Sequence, residues 1–174
     1  MINKGFYKWY VDLSVTGTRN KYSRLINDNA VDYTSDFISY TLQTNSAYDD
    51  FPNLDFGITQ EFTRLKSPSL ETNIMQIQPF ASLEYDFWED FLVKFDYRLT
   101  YFENQSSNSI NRFDIGNASL EYWNPDKAWR VSLEATNIFN TGFRRRSNVS
   151  EFVISDQRQL IQPRIILLQL TYKL

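Results

Sequence analysis

The amino-acid sequence predicts an all-β fold, arranged as an antiparallel up-and-down meander of about eight long strands. Three observations predict it. Apolar and polar residues alternate with a period of two along most of the 174 residues, the pattern of strands with two unlike faces. No segment of comparable length shows the 3.6-residue stripe of an amphipathic helix. Short and longer polar connections alternate along the chain, which is typical of strands joined in sequence order.

Each predicted strand follows from this alternation. In the clearest segment, Val93, Phe95 and Tyr97 are separated by Lys94 and Asp96. The segment from 33 to 46 is the least regular, and the last segment keeps its period to the end of the chain. The predicted strands lie near residues 6–17, 33–46, 54–65, 74–86, 91–103, 112–123, 129–138 and 161–174.

The connections predict two different ends of the sheet. Short turns are expected at 48–53, 87–90 and 124–128. Longer polar links are expected at the opposite end, over residues 18–32, 66–73, 103–111 and 140–160. Because no composition shift or low-complexity linker interrupts the pattern, the sequence predicts a single domain over 1–174.

Composition excludes several functional classes. The chain has no cysteine and no histidine, which excludes disulfides, thiolate nucleophiles, zinc sites of the Cys/His kind and imidazole bases. The sequence therefore predicts no catalytic residues, no metal and no cofactor. A formal net charge of −3, with Arg144, Arg145 and Arg146 as the longest basic run, argues against a nucleic-acid partner. The same three arginines are a candidate site for an anionic ligand on a loop.

Alternation of this kind arises in two settings. In a soluble sandwich or lipocalin-like barrel the apolar face points inward. In an outer-membrane barrel it points outward to lipid, and the polar face lines the lumen. Several predicted strands exceed the about 9–11 residues that a tilted strand needs to cross a bilayer, and this favours the membrane. No stretch approaches 18 consecutive apolar residues, so no transmembrane helix is predicted.

Tryptophan positions favour the same setting. All four are predicted at the tight-turn end, where indole rings would form an interface girdle at the headgroup level: Trp9, Trp88, Trp123 and Trp129. The alternation also assigns a set of residues to the lipid-facing side. These residues are Val11, Leu13, Phe56, Ile58, Leu83, Val93, Phe95, Leu99, Leu120, Val131 and Leu133.

The C-terminal third resembles a known family. The Asn-Ile-Phe-Asn-Thr segment at 137–141 is followed after a loop by Gln-Pro-Arg at 162–164 and by a closing alternating segment. This combination resembles the end of TonB-dependent outer-membrane receptors, and most closely the related β-barrel family of Bacteroidetes-type envelopes. Residues 117–122 resemble the penultimate hairpin of that family. The resemblance is strongest over about 110–174.

The resemblance implies a location and partners. In that family the last strand has an insertion signal for the barrel-assembly machinery, matched here by Leu168, Leu170 and Tyr172, with Leu174 where the family has a terminal aromatic residue. It implies the outer membrane of a Gram-negative cell, contact with outer-membrane lipid, and nutrient uptake through a receptor-like transporter. TonB, acting through N-terminal parts, and a surface lipoprotein are further implied partners.

The resemblance also implies parts that this sequence does not contain. A full receptor has a plug domain inside a 22-stranded barrel and a signal peptide. The chain is therefore expected to be the C-terminal portion of such a barrel, with ligand contacts on the longer links. Two alternatives stay open: a complete small eight-stranded outer-membrane barrel, and a soluble lipocalin-like barrel that binds a small apolar ligand.

Overall fold

The computed structural model describes residues 2–6, 8–48, 52–68, 71–88, 90–123, 128–149 and 154–172. Within these ranges the chain forms eleven strands and no helix, and the all-β prediction is confirmed. No helix long and apolar enough to cross a membrane occurs in the described part. The strands are β1 Ile2–Phe6, β2 Trp9–Ile26, β3 Asn29–Ser46, β4 Asn53–Lys66, β5 Glu71–Phe87, β6 Phe91–Asn104, β7 Ser109–Trp123, β8 Trp129–Thr136, β9 Phe143–Val149, β10 Ile154–Leu160 and β11 Ile165–Tyr172.

Nine of the strands form one antiparallel meander. Their order in the sheet is β1-β2-β3-β4-β5-β6-β7-β8-β11, and β9 pairs with β10 in a separate two-stranded ribbon. In the described part of the chain β1 and β11 are the two edges of the large sheet and do not pair with each other. The sheet is therefore open, which differs from the alternative of a small barrel closed by these strands alone.

The strands are staggered relative to the rows of paired residues. One row joins Leu54, Leu83, Phe95, Ala118 and Ala135. Leu54 lies at the tight-turn end of β4, whereas Ala135 lies near the opposite end of β8. The strands are thus tilted with respect to the rim of the sheet, and a stagger of this kind accompanies strand tilt in barrels.

The predicted link over 18–32 is wrong. Residues 18–26 continue β2, residues 29–32 begin β3, and the pairing runs without interruption to Ile26 and Asn29. Only Asn27 and Asp28 form the turn, both with positive φ, at 48° and 64°. Two such residues are the signature of a type I′ turn. The alternation is lost here because Arg19, Lys21 and Ser23 occupy positions on the apolar side of β2 and apolar residues are adjacent at 25 and 26, although backbone pairing continues.

The other long links are also shorter than predicted. Strand pairing extends to Lys66 and Glu71, and residues 69–70 lie outside the described ranges. Residues 105–108 form a tight turn. Most of the segment 140–160 folds into the β9–β10 ribbon, in which Arg144 pairs with Gln159. The last strand begins at Ile165 rather than near 161.

Apolar burial is nearly absent from this fold. Among the described residues only Tyr33, Leu65 and Phe102 are buried apolar or aromatic side chains. More polar than apolar side chains are buried, including Thr72, Thr100, Asn104 and Ser132. This distribution is the reverse of that in a soluble domain, where large apolar residues are the most often buried.

The Asn27–Asp28 turn gives a direct test of the extended β2–β3 hairpin. Asp28→Val should lower the free energy of unfolding by about 1–2 kcal/mol, because a β-branched residue is strained at positive φ. Asp28→Gly, the matched control, should leave it unchanged or raise it. Urea titration of the folded protein that contains this chain measures both. Equal stability of the two variants would mean that residues 27–28 do not form this turn.

Candidate functional site

The register of the sheet divides its side chains between two faces. Residues directly paired across antiparallel strands project to the same side. Leu13 pairs with Leu42 and Leu42 with Ile58; further along, Val93 pairs with Leu120 and Leu120 with Leu133. The structure places all eleven residues of the predicted lipid-facing set on one face, here called the apolar face.

The apolar face has no second layer of the described chain packed on it. Most of the exposed large apolar side chains of the described residues belong to it: Leu13, Val15, Leu25, Ile38, Leu42, Phe56, Ile58, Phe62, Phe95, Ile110, Leu120, Trp129, Leu133, Ile166, Leu168, Leu170 and Tyr172. Leu168, Leu170 and Tyr172, from the predicted insertion signal, continue it onto the edge strand β11. Leu174 lies outside the described residues. An exposed apolar surface of this extent marks an interaction site.

Aromatic rings line the tight-turn end of the apolar face. Trp9 is 5.9 Å from Phe56, centroid to centroid. On neighbouring strands Phe91 and Tyr122 are 4.9 Å apart, as are Tyr122 and Trp129. Pairs of this geometry add stability beyond the area they bury. We call these rings, with Tyr48, Tyr85, Phe87 and Trp88, the aromatic row.

The four tryptophans lie at the same end but do not share one face. Trp9 and Trp129 are on the apolar face, and Trp129 pairs with Tyr172. Trp123 pairs with Arg130 and so projects from the opposite, polar face. The alternation was the available sequence signal, because Trp123 directly follows Tyr122 and so falls on the face of Ser119 and Glu121.

Trp88 occupies a strained position. It is 81% exposed and has φ of 51°, in the left-handed region that bulky residues rarely adopt. Its ring contacts the rings of Phe87 and Phe91 in edge-on geometry. Conformational strain of this kind costs about 1–3 kcal/mol and is found at functional positions.

Charged residues bound the apolar face at its other end. Arg19 forms an ion pair with Asp36, with 3.3 Å between Nε and Oδ1. Arg64 forms an ion pair with Glu71, with 2.6 Å between Nη2 and Oε1. Between the aromatic row and this polar rim most side chains of the face are apolar or aromatic, with polar exceptions such as Gln60 and Asp114. On β6 the apolar stretch runs from Val93 to Tyr101, which is about 26 Å along the strand at about 3.3 Å per residue.

The opposite face, here called the polar face, has most of the side-chain hydrogen bonds of the sheet. It also has the three buried apolar or aromatic side chains of the described residues, those of Tyr33, Leu65 and Phe102. Lys94 Nζ lies 2.9 Å from Glu84, and Asn117 donates to Asp96 at 2.9 Å. Further contacts join Gln43 with Asp55, Thr41 with Thr59, and Arg130 with Glu121. Because these charges are half exposed, each pair contributes little to stability. Their mixed signs suit a face in contact with water.

The candidate anion-binding residues lie on the β9–β10 ribbon. Arg144 is exposed and donates to Gln159 Oε1 through Nε at 2.7 Å and through Nη2. Next to it, Arg158 lies over the Phe143 ring at 3.8 Å. The side chains of Arg145 and Arg146 lie outside what the structure describes. In the described ranges no three His, Cys, Asp or Glu side chains come together in a way that could hold a metal ion.

The segment that resembles a known family folds into a compact corner after β8. Asn137 is 4% exposed and donates from Nδ2 to the carbonyl oxygens of Thr141 and Gln162, at 3.0 and 2.8 Å. Its Oδ1 accepts from the Thr141 N–H at 2.9 Å. Arg164 donates from its backbone N–H to Asn140 Oδ1 at 3.1 Å. The structure thus joins the 137–141 and 162–164 segments by hydrogen bonds.

Two residues of this corner were not predicted as functional. The Phe139 ring lies against Gly116 on β7 and meets Tyr97 edge-on at 5.6 Å. A Cβ on Gly116 would lie 2.6 Å from Phe139 Cε2, so only glycine allows this contact. The lone glycine inside the apolar alternation of β7 was the available sequence signal, since such glycines mark a close approach.

Comparisons of the chain with models of protein families, with curated proteins and with solved structures found no match. The resemblance in the C-terminal third therefore stays a prediction. The function has to be argued from the geometry of the two faces.

The contact between Gly116 and Phe139 gives a double-mutant test of the corner. Gly116→Ala should lower the free energy of unfolding by about 1–3 kcal/mol through overpacking. In a Phe139→Ala background the same substitution should cost clearly less, because the two positions are in contact. Urea titration of all four proteins in detergent micelles gives the coupling energy. Equal cost of Gly116→Ala in both backgrounds would contradict the contact.

Proposed function

We propose that this chain forms part of the wall of an outer-membrane β-barrel in a Gram-negative cell. A single observation supports the proposal: one face of the sheet exposes a continuous, mostly apolar surface with an aromatic row at one end and ion pairs at the other. Outer-membrane barrels turn an apolar surface of this kind toward lipid, with aromatic residues at the membrane interface. Indole and phenol rings prefer the headgroup level, where the ring is partly in lipid and the polar atom stays wet.

The open edges support a barrel larger than this sheet. β1 and β11 are edges with unpaired backbone groups within the described part of the chain. In lipid, such groups cost several kcal/mol each. The barrel in this proposal is therefore closed by further strands, as in the 22-stranded receptors that the C-terminal third resembles. The polar face then lines the lumen.

The proposed activity is uptake of a nutrient through a TonB-dependent receptor-like transporter. The support is the resemblance at 137–141 and 162–164, together with the hydrogen-bonded corner that joins these segments. In this proposal the tight-turn end faces the periplasm. The β9–β10 ribbon, with Arg144 and Arg158, reaches the extracellular side, where ligand is captured.

Adjacent residues on β7 test the orientation of the faces. The chain has no cysteine, so single cysteines at Leu120 and Ser119 can each hold a bimane fluorophore. In lipid vesicles that contain the closed barrel to which this chain belongs, bimane at Leu120→Cys should be quenched by lipids brominated on the acyl chains and not by aqueous iodide. Bimane at Ser119→Cys, the matched control on the opposite face, should show the reverse.

Two results would contradict the proposed contact between the apolar face and lipid. Iodide quenching at both positions, with no quenching by brominated lipid, would place the apolar face outside the bilayer. A chain that is also monodisperse and folded in plain buffer would favour the soluble lipocalin-like alternative.

A charge on the apolar face should prevent insertion. Leu133→Arg should weaken folding into vesicles by about 2–4 kcal/mol, the cost of arginine near the bilayer midplane. Ser119→Arg, on the polar face across from Glu134, should cost less than about 1 kcal/mol. The fraction of protein protected from protease by vesicles, followed against urea concentration, measures both. Equal losses for the two variants would contradict the assignment of faces.

A further inference from the structure

The polar face has a cavity midway along strands β4 to β7. It encloses about 300 Å³, at the lower end of the range of about 300–1,000 Å³ that is usual for small-molecule sites. Most of this face is polar, but the cavity combines charged with apolar side chains. Its lining includes the charged residues Asp55, Asp96 and Arg98 and the apolar residues Phe80, Phe113 and Ile115.

The register places charges of both signs next to the apolar residues. Arg98 lies between Phe80 and Ile115 in one row of directly paired residues. The next row toward the tight-turn end contains Asp55 and Asp96, two strands apart. Asp96 and Arg98 follow each other on one face of β6, about 7 Å apart along the strand.

A glycine positions one wall of the cavity. The Phe80 ring covers Gly57 on the neighbouring strand, where a Cβ would lie 2.9 Å from Phe80 Cε1 and 2.5 Å from the carbonyl oxygen of Leu42. Only glycine allows so close an approach within a strand. The ring therefore leans across β4, with its centroid 6.0 Å from Arg98 Cζ, and forms a wall of the cavity.

The charges in the cavity are not paired with one another, although other charges of the polar face form ion pairs. The Asp55 and Asp96 carboxylates accept hydrogen bonds through Oδ1 from the amides of Gln43 and Asn117, at 3.1 and 2.9 Å. In the described part of the chain, the Arg98 guanidinium has no carboxylate partner. The amides thus orient both carboxylates, and the guanidinium is available to a ligand.

We propose that this cavity binds a small zwitterion, of the α-amino acid type, with an apolar side chain. The ligand carboxylate binds the Arg98 guanidinium, which offers two parallel N–H donors. The ligand ammonium group donates to Asp96, and Asp55 adds negative charge at the same end. The ligand side chain packs against Phe113 and Ile115.

The charge balance favours this class of ligand. With two carboxylates and one guanidinium the cavity has one negative charge in excess, which disfavours a simple anion. A simple cation would leave Arg98 unpaired. An α-amino acid has both charges on one carbon, which matches the neighbouring positions of Asp96 and Arg98. This inference names a substrate class for the proposed function and rests on it, since the polar face has to line the lumen of a closed barrel.

Ligand competition tests each part of this recognition. The probe is radiolabelled L-leucine, measured by equilibrium dialysis with the detergent-solubilised closed barrel to which this chain belongs. L-leucinol lacks the carboxylate, N-acetyl-L-leucine lacks the ammonium charge, and glycine lacks the side chain. Each should compete at least about tenfold more weakly than unlabelled L-leucine, because a hydrogen-bonded charge or a buried leucine side chain contributes at least that factor.

Substitutions should change the competition in matched ways. Arg98→Gln should weaken L-leucine binding about tenfold and remove its advantage over L-leucinol, because the carboxylate loses its charged partner. Asp96→Asn should remove the advantage over N-acetyl-L-leucine. Arg130→Gln, the matched control on the polar face outside the cavity, should leave binding unchanged. The competition series with the unaltered protein tests the inference even if a variant does not fold.

The outcomes separate this inference from the proposed function. Absence of saturable L-leucine binding would overturn it, as would equal competition by L-leucine and L-leucinol. A preference for L-leucine over L-leucinol that survives Arg98→Gln would also overturn it. None of these results would contradict contact between Leu120 and lipid. Failure of the bimane test at Leu120→Cys would instead remove the proposed function, whatever the result with L-leucine.

Discussion

The antiparallel backbone ladder is the constraint on which the rest of this structure depends. Three apolar or aromatic side chains are buried among the described residues, so the usual hydrophobic core contributes little. Strands β3 to β6 instead satisfy most of their N–H and C=O groups through two neighbours. β2 and β3 pair from end to end, whereas β1 covers only the first residues of β2. Backbone pairing, rather than a second layer of the described chain on the apolar face, holds these strands together.

The three zones of the apolar face follow from where the side chains lie along the strands. Near the tight turns, rings such as Trp9 and Phe56 pack edge to face. In the middle, aliphatic residues such as Leu13 and Ile58 are exposed. Beyond them, ion pairs such as Arg19–Asp36 appear. This order of zones supports the proposed location, because headgroup, hydrocarbon and headgroup regions follow one another across a bilayer.

The corner after β8 connects the wall to the segments beyond it. Asn137 has φ of 50°, which asparagine tolerates better than most residues, and its amide ties the corner to Gln162 just before β11. Phe139 then covers Gly116 on the apolar face. The corner thus holds the beginning of the edge strand against the sheet and adds a ring to the apolar face at the same time.

Much of the strand pattern could be predicted from the sequence, because a period of two survives wherever one face is apolar. β4 to β7 were predicted within a few residues on that basis. The hairpin extension over 18–32 was missed because polar residues such as Arg19 and Lys21 take the apolar-face positions, so hydropathy does not alternate there although the strands pair. The ribbon after Gly142 was missed because its strands show no regular alternation either.

The candidate site was also predictable from the sequence only in part. Alternation alone placed eleven residues such as Leu83 and Val93 on one face, since neighbouring odd or even positions must share a side. Only the register decided which residues of different strands lie side by side, such as Leu120 with Leu133 and Trp129 with Tyr172. Such pairings join residues far apart in sequence, and their alignment depends on turn lengths and strand stagger. The sequence by itself determined which residues alternate; the tertiary structure decided which of them meet, because register is a relation between strands.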